Sequence, residues 1–435
     1  MFIAVGLAST RICLASVAVS LALSVGTARA ASYEVLYAFT GESDGSFPKS
    51  GLIADDAGNL YGTTFGGGSG TRKSPCYGGC GVVFMLASTG SETVIHTFNG
   101  EGRQKKAGVN PYGGLVADRT GNLYGTTSRG GNTEGVCHPS GCGTVFSIGK
   151  DGSETVLHVF AAGSDGLNPE ASLLLKKGDL YGTTGFGGGA GCSDDAGCGT
   201  VFEIAPDGTE TILYAFAGNV DGAYPSSELI ADEAGNLYGT TGGGGGTGCN
   251  GYGCGTVFKL TPDGVETVLY SFAGGTDGAG PTGRLVLDKA GNLYGTTAGG
   301  GTGTDCIFGP GCGTVFKVAA SGEESILYSF AGGSDGAGPS GLIADKAGDF
   351  FGTTAEGGGG TGCDYVPWGC GTVFEFAVNG KETVLHGFDG GIDGAFPEAE
   401  VLIGKTGDLY GTTEGGGSTD CSEGNGCGTI FEIKK

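Results

Sequence analysis

Fourteen of the fifteen cysteines in this chain fall into seven close pairs: Cys76/Cys80, Cys137/Cys142, Cys192/Cys198, Cys249/Cys254, Cys306/Cys312, Cys363/Cys370 and Cys421/Cys427. Two thiols that near one another can oxidise to a local disulfide, or supply half of the four ligands a zinc ion takes. Each pair lies in a glycine-rich stretch with no matching His, so seven disulfides are expected, and no metal site or cofactor. By chain entropy, closing a loop of roughly six residues is worth only about 2 kcal/mol. The expected benefit is local: a floppy glycine loop is pinned and becomes a poorer protease substrate.

A second repeated group is acidic. Asp44, Asp165, Asp221, Asp277, Asp335 and Asp393 are each followed by Gly and, three residues beyond that, by Pro. Six carboxylates could hold calcium, but a calcium loop needs several oxygens closely spaced, and the expected role is an Asp-Gly turn fixed by Pro. His96, His158 and His386 stand where other repeats carry Tyr214, Tyr270 and Tyr328, which predicts packed amphipathic rings, while His138 stands alone in a loop.

Two places depart from the repetition. One link has no Asp and reads Arg103-Gln104-Lys105-Lys106, with Arg72-Lys73 in the loop before it and Arg129 in the loop after it. These cations could form a local anion site for a uronate-bearing polysaccharide or an acidic partner, against the plainer reading of a solvated charge run. The other departure is Tyr365-Val366-Pro367-Trp368, with the only Trp in the chain. Tyr365 and Trp368 could stack on a sugar ring or anchor a partner, or could cover their own glycine loop.

The elements that carry these groups repeat. Tyr-Gly-Thr-Thr begins at Tyr61, Tyr124, Tyr181, Tyr238, Tyr294 and Tyr410, and at Phe351 with Phe for Tyr, at spacings of 56 to 63 residues. One supersecondary unit is therefore copied seven times. In the copy from Leu229 to Phe272, four short apolar runs alternate with turns and one glycine-rich loop, which predicts a four-stranded antiparallel sheet. The last run, Glu266 to Phe272, should alternate, with Val268, Tyr270 and Phe272 on one face. The Thr pairs, such as Thr63 and Thr64, are expected to be structural strand residues rather than a channel lining. The seventh copy lacks its fourth run, and Tyr33 to Phe39 matches that run. The expected architecture is an all-β, seven-bladed β-propeller whose N-terminal strand completes the last blade, with an open β-solenoid as the alternative.

Residues 1–30 read as a secretory signal peptide: Arg11, an apolar run from Ile12 to Val25, and a small-residue site at Ala28-Arg29-Ala30. The propeller is then residues 31–435. Loss of Arg11 and Arg29 takes the formal charge from −24 to −26. So acidic a chain is expected to bind neither nucleic acid nor anionic membrane surfaces. With no long apolar segment after the last repeat, no membrane insertion is expected, and the product should be extracellular or periplasmic. Glycine, at 98 residues, fills loops between apolar runs rather than a low-complexity tract.

The stretch Asp-x-x-Gly-Asn-Leu-Tyr-Gly-Thr-Thr, as at Asp232 to Thr241, is followed by Gly-Thr-Val-Phe and Glu-Thr-Val-Leu-Tyr-Ser-Phe. It resembles the GloVer repeat of bacterial exported "choice-of-anchor" tandem-repeat proteins, over nearly all of residues 33–435. The resemblance implies a bacterial exported protein and brings no catalytic residues.

Three functions follow. The first is a secreted binding module for a carbohydrate, such as an acidic glycan, or for an extracellular protein. The second is a polysaccharide hydrolase or lyase, although no sialidase-type box, no unpaired Cys nucleophile and no His-Glu metal motif stands in the chain. The third is a scaffold without small ligand.

Overall fold

A computed structural model describes residues 31–68, 76, 78–99, 107–137, 139–189, 191–192, 196–304, 306, 311–363, 369–418, 421 and 426–435. It is a seven-bladed β-propeller of antiparallel sheets. Blade four is typical, with strands Ile230–Ala231, Leu237–Thr241, Thr256–Leu260 and Glu266–Ser271 in that order from the channel outward. In blade two the first strand is split into Gly108–Pro111 and Val116–Ala117. Blade seven is completed by the N-terminal strand Ser32–Ala38, which pairs antiparallel with Thr429–Lys434. The ring is closed, as expected, and the open solenoid is excluded.

The motif residues have separate tasks. Asp232 accepts the Asn236 backbone N–H (2.9 Å), its side-chain amide (2.6 Å) and the Tyr238 hydroxyl (3.0 Å), which folds strand one back onto strand two. The glycine after Tyr238 has no room for a side chain: a Cβ on Gly239 would lie 2.8 Å from the Phe258 ring. The first Thr of the motif ties neighbouring blades, as Thr353 donates to the Ala399 carbonyl at 2.9 Å and Thr412 to that of Ser50 at 2.9 Å, although in blade four the Thr240 hydroxyl makes no such bond. The second Thr bonds strand three, with the Thr241 and Thr256 hydroxyls 2.9 Å apart. Both positions are buried and structural.

The core lies between blades, because each sheet is apolar on both faces. At every seam the Phe just past strand four of one blade meets, edge to face, the Phe of strand three in the next. Phe272–Phe316 has its centroids 5.0 Å apart, and the closing seam, Phe39–Phe84, has them 5.2 Å apart. Such a pair contributes about 0.5–1.5 kcal/mol beyond its buried area.

Strand four departs from the expected alternation. Register shifts between Val257 and Phe258, so Tyr270 and Val268 oppose successive residues of strand three, and Leu269 is bulged out. Val268 and Tyr270 therefore do not share a face. The same shift occurs in all seven blades.

Candidate functional site

The link between blades brings the chain to the channel, and its geometry is set by cysteine and proline. All seven expected disulfides form: Cys76–Cys80, Cys137–Cys142, Cys192–Cys198, Cys249–Cys254, Cys306–Cys312, Cys363–Cys370 and Cys421–Cys427. Their depth corrects the expectation of a purely local loop brace. The second Cys of each pair (Cys80, Cys142, Cys198, Cys254, Cys312, Cys370 and Cys427) is at most 1% exposed and packs into the apolar core of a seam. The first Cys ranges from buried Cys76 to exposed Cys249. The reason is position: the second Cys stands two residues before strand three, the strand most deeply enclosed between blades, as Cys254 does before Thr256. Each bridge therefore anchors a surface loop in the core.

The backbone of the same residues reaches the next blade. The carbonyl of the second Cys accepts the N–H of the residue just before that blade's link proline. Asn110 donates to Cys80 (2.8 Å), Asn168 to Cys142 (3.0 Å), Tyr224 to Cys198 (2.8 Å) and Gly280 to Cys254 (2.8 Å). Gly338 donates to Cys312 (2.9 Å), Phe396 to Cys370 (2.8 Å) and, across the closure, Phe47 to Cys427 (2.8 Å). The disulfide thus steadies a seam between blades as well as its own loop. The residue so held takes positive φ in every link, including Phe47 (58°), Tyr224 (60°) and Phe396 (59°), a conformation that is costly for bulky side chains.

The link aspartates close turns. Asp44 accepts the Thr40 N–H (2.8 Å), the Thr40 hydroxyl (2.6 Å) and the Tyr37 hydroxyl (3.0 Å). His158 and His386 take the place of that Tyr against Asp165 (3.0 Å) and Asp393 (3.1 Å), and each packs edge-on against a Phe.

Residues after the link prolines line an axial cavity of about 130 Å³, to which six blades contribute. Here the blades are unequal. Lys49 Nζ lies 2.8 Å from Glu414 and 3.2 Å from Glu398. It also stands 5.6 Å from the Tyr112 ring centroid and 6.0 Å from that of Phe65. Burial opposes the Lys49 charge, but the two carboxylates outweigh it and hold its pKa above the usual lysine range. Burial pushes the Glu398 and Glu170 carboxyls up. Glu228 lines the same cavity. Burial, against the pull of Arg284 (3.5 Å away) and with the charge of Glu400, pushes its carboxyl up to about 7.

Tyr112 lines this cavity, and five more aromatic rings stand in or beside the links of other blades. Phe65 meets Tyr112 edge to face at 6.1 Å, Phe186 meets Tyr224 at 5.3 Å, and Phe47 and Phe396 stand at the links of blades one and seven. All six are half-buried. Among the described residues blades five and six carry Gly280 and Gly338 before the link proline, Thr282 and Ser340 after it, and Ala298 and Ala355 where blade one has Phe65, so the rings fall in the run of blades seven, one, two, three and four, a crescent and not a circle.

Of the expected basic sector, Arg129 is exposed, with its guanidinium carbon 5.9 Å from the Phe65 centroid. Arg72, Lys73, Arg103, Lys105, Lys106, Tyr365 and Trp368 lie outside the described residues, as does His138. The sequence reading missed the crescent and the Lys49–Glu398–Glu414 group. The signal was present: the residues flanking each link proline vary from blade to blade while their surroundings repeat.

The sequence profile of the Gloeobacter/Verrucomicrobia repeat matches residues 25–194, 70–308, 137–363 and 309–435. The chain belongs to this repeat family. No curated protein matches it. Among solved structures, one similar to this propeller is described as the extracellular domain of a putative one-component system from B. thetaiotaomicron. It has a TM-score of 0.51 and 12% identity, over 93% of this chain and 41% of that one. A luciferin-regenerating enzyme (TM-score 0.44, 16% identity, 75% of this chain and 91% of that one) and a gluconolactonase from Xanthomonas campestris (0.38, 15%, 67% and 78%) are also similar. At such identities the likeness is one of fold alone. Seven disulfides fit an oxidising compartment, and no helix among the described residues is long and apolar enough to cross a membrane.

Proposed function

We propose that this repeat protein is an exported carbohydrate-binding module whose site is the rim of the central channel. The observation that carries the reading is the aromatic crescent, two of whose rings, Phe65 and Tyr112, flank Lys49 and its partners Glu398 and Glu414. Half-exposed rings give a sugar an apolar face to stack on, and adjacent carboxylates accept its hydroxyls. Among the described residues blades five and six carry no such ring, so the stacking surface lies on one side of the channel. Arg129, with Arg103, Lys105 and Lys106, would extend the site to uronate-bearing chains.

The test is affinity electrophoresis in gels cast with neutral or uronate-bearing polysaccharides. Retardation is expected, and it should be lost in Tyr112→Ala and Phe186→Ala variants that keep the wild-type melting temperature. Charge reversal at Arg103, Lys105 and Lys106 should remove only the uronate component. Absence of retardation in every gel overturns the reading.

A second reading, a polysaccharide hydrolase or lyase, draws on one observation. A channel carboxyl poised near neutrality, Glu228, has the property a general acid needs. Release of reducing ends that Glu228→Gln abolishes would establish it.

A further inference from the structure

At one seam of the ring three different metal-ligating side chains converge. His158 is on strand four of blade two (Glu154–Val159), Asp165 is in the link that follows, and Glu210 opens strand four of blade three (Glu210–Ala215). His158 Nε2 is 3.0 Å from Asp165 Oδ1 and 4.0 Å from Glu210 Oε1, and one ligand atom from each of the three lies within 4.8 Å of the others. The three side chains are 15–20% exposed. We propose that His158, Asp165 and Glu210 bind one divalent transition-metal ion that clamps blade two to blade three.

The donor set is one imidazole nitrogen and two carboxylates, which suits zinc or manganese rather than the all-oxygen coordination of calcium. Metal–ligand bonds of about 2.0–2.2 Å put donor atoms roughly 3.3 Å apart, so closing the triangle takes small side-chain movements. Glu210 Oε1 is buried without a donor, as is the same atom of Glu92, Glu154, Glu266, Glu324 and Glu382 in other blades, but only beside Glu210 do a histidine nitrogen and a link aspartate complete a ligand set among the described residues. Asp165 is already oriented, because its other oxygen accepts the Ala161 N–H. The ion would take the place of the His158–Asp165 hydrogen bond, and its remaining positions would be open to water.

The other seams make the inference specific. Where Tyr37, Tyr214, Tyr270 or Tyr328 replaces the histidine, the nitrogen ligand is missing. At His386 the third place is taken by Tyr33, stacked on the imidazole at 3.7 Å. His96 faces Glu154 at 3.5 Å, but the link beyond it carries no Asp. Among the described residues this is the one cluster of three His, Cys, Asp or Glu ligands. The sequence reading weighed zinc only at the cysteine pairs and calcium only at the link aspartates, and took His158 for a packed ring.

The test is calorimetric titration of untagged, EDTA-stripped protein with zinc chloride and, separately, manganese chloride. One ion per chain is expected. His158→Tyr, which installs the residue four other seams carry, should weaken binding at least 100-fold, as should Glu210→Gln, whereas His386→Tyr should leave it unchanged. The metal should also raise the melting temperature of the wild type and not of His158→Tyr. Absence of uptake, or uptake that His158→Tyr retains, overturns the proposal.

Discussion

Lys49 Nζ lies 2.8 Å from Glu414 Oε1, so an ion pair joins the first blade to the last at the channel rim. The backbone makes the same closure at the outer edge, where Ser32–Ala38 completes blade seven. The rim is therefore both the candidate site and part of the latch. Lys49 also pairs with Glu398, which makes it the single cation between two carboxylates.

Replacing Lys49 by Met should expose that arrangement. Glu398 and Glu414 would face one another without a counter-charge, and the protein should lose stability at pH 8. The loss should fall short of the about 3–5 kcal/mol of a fully buried broken pair, because these side chains keep partial contact with water. At pH 5 much of the loss should disappear as one carboxyl takes up a proton. Urea unfolding at both pH values measures this, and an equal loss at both would show that the pair is not electrostatically coupled.

A broader pH dependence arises from strand four. Burial, and then the charge of the link Asp at the same seam, pushes Glu92, Glu266, Glu324 and Glu382 up to about 7, and burial with Asp165 does the same to Glu210. Their pKa in the unfolded chain is ordinary, about 4.3. Between these values the folded state binds more protons, so stability rises as pH falls from about 7 toward about 4.5. His96, whose pKa burial lowers, opposes this with one group. The urea midpoint should be higher at pH 5.5 than at pH 8, and Glu→Gln at 92, 266 and 324 together should flatten the difference. A midpoint that is lower at pH 5.5 would contradict the assignment.

What could be read from the residues follows from how each is used. Asp232, Gly239, Phe258 and the Cys249–Cys254 pair perform the same local task in their blade as their counterparts do elsewhere, so the period, the disulfides and the propeller stand out in the sequence. The burial of Cys254 was less legible, because it depends on the next blade packing over strand three. The rim is built the opposite way. Lys49 meets Glu398 and Glu414 only because the ring closes, and no spacing along the chain connects them. His158, Asp165 and Glu210 also come from strand four of blade two, the link after it and strand four of blade three, and their meeting depends on two blades packing side by side. The bulge at Leu269 was hidden for a third reason: the alternation of Glu266–Phe272 looks regular, and the extra residue shows only in its pairing with strand three.

The closing seam gives the last prediction. Phe39 reaches Phe84 across the junction of blade seven with blade one in the geometry that Phe272 uses to reach Phe316 inside the ring, and both pairs are buried. If closure is as tight as any other seam, Phe39→Ala and Phe272→Ala should cost the same, about 3–5 kcal/mol each, the range for emptying a buried Phe site. The physical alternative is a seam that opens locally, because Ser32–Ala38 and its partner Thr429–Lys434 are far apart in the chain, whereas strands three and four of the other blades are joined by a short turn. Opening would already expose Phe39 part of the time, and its truncation would then cost much less than that of Phe272. Paired urea titrations decide between them, and amide exchange at Val35 and Tyr37 against that at Val268 and Tyr270 gives the same comparison without mutation. Equal midpoints with equal protection are expected, since the N-terminal strand forms the same bulged ladder as its six counterparts.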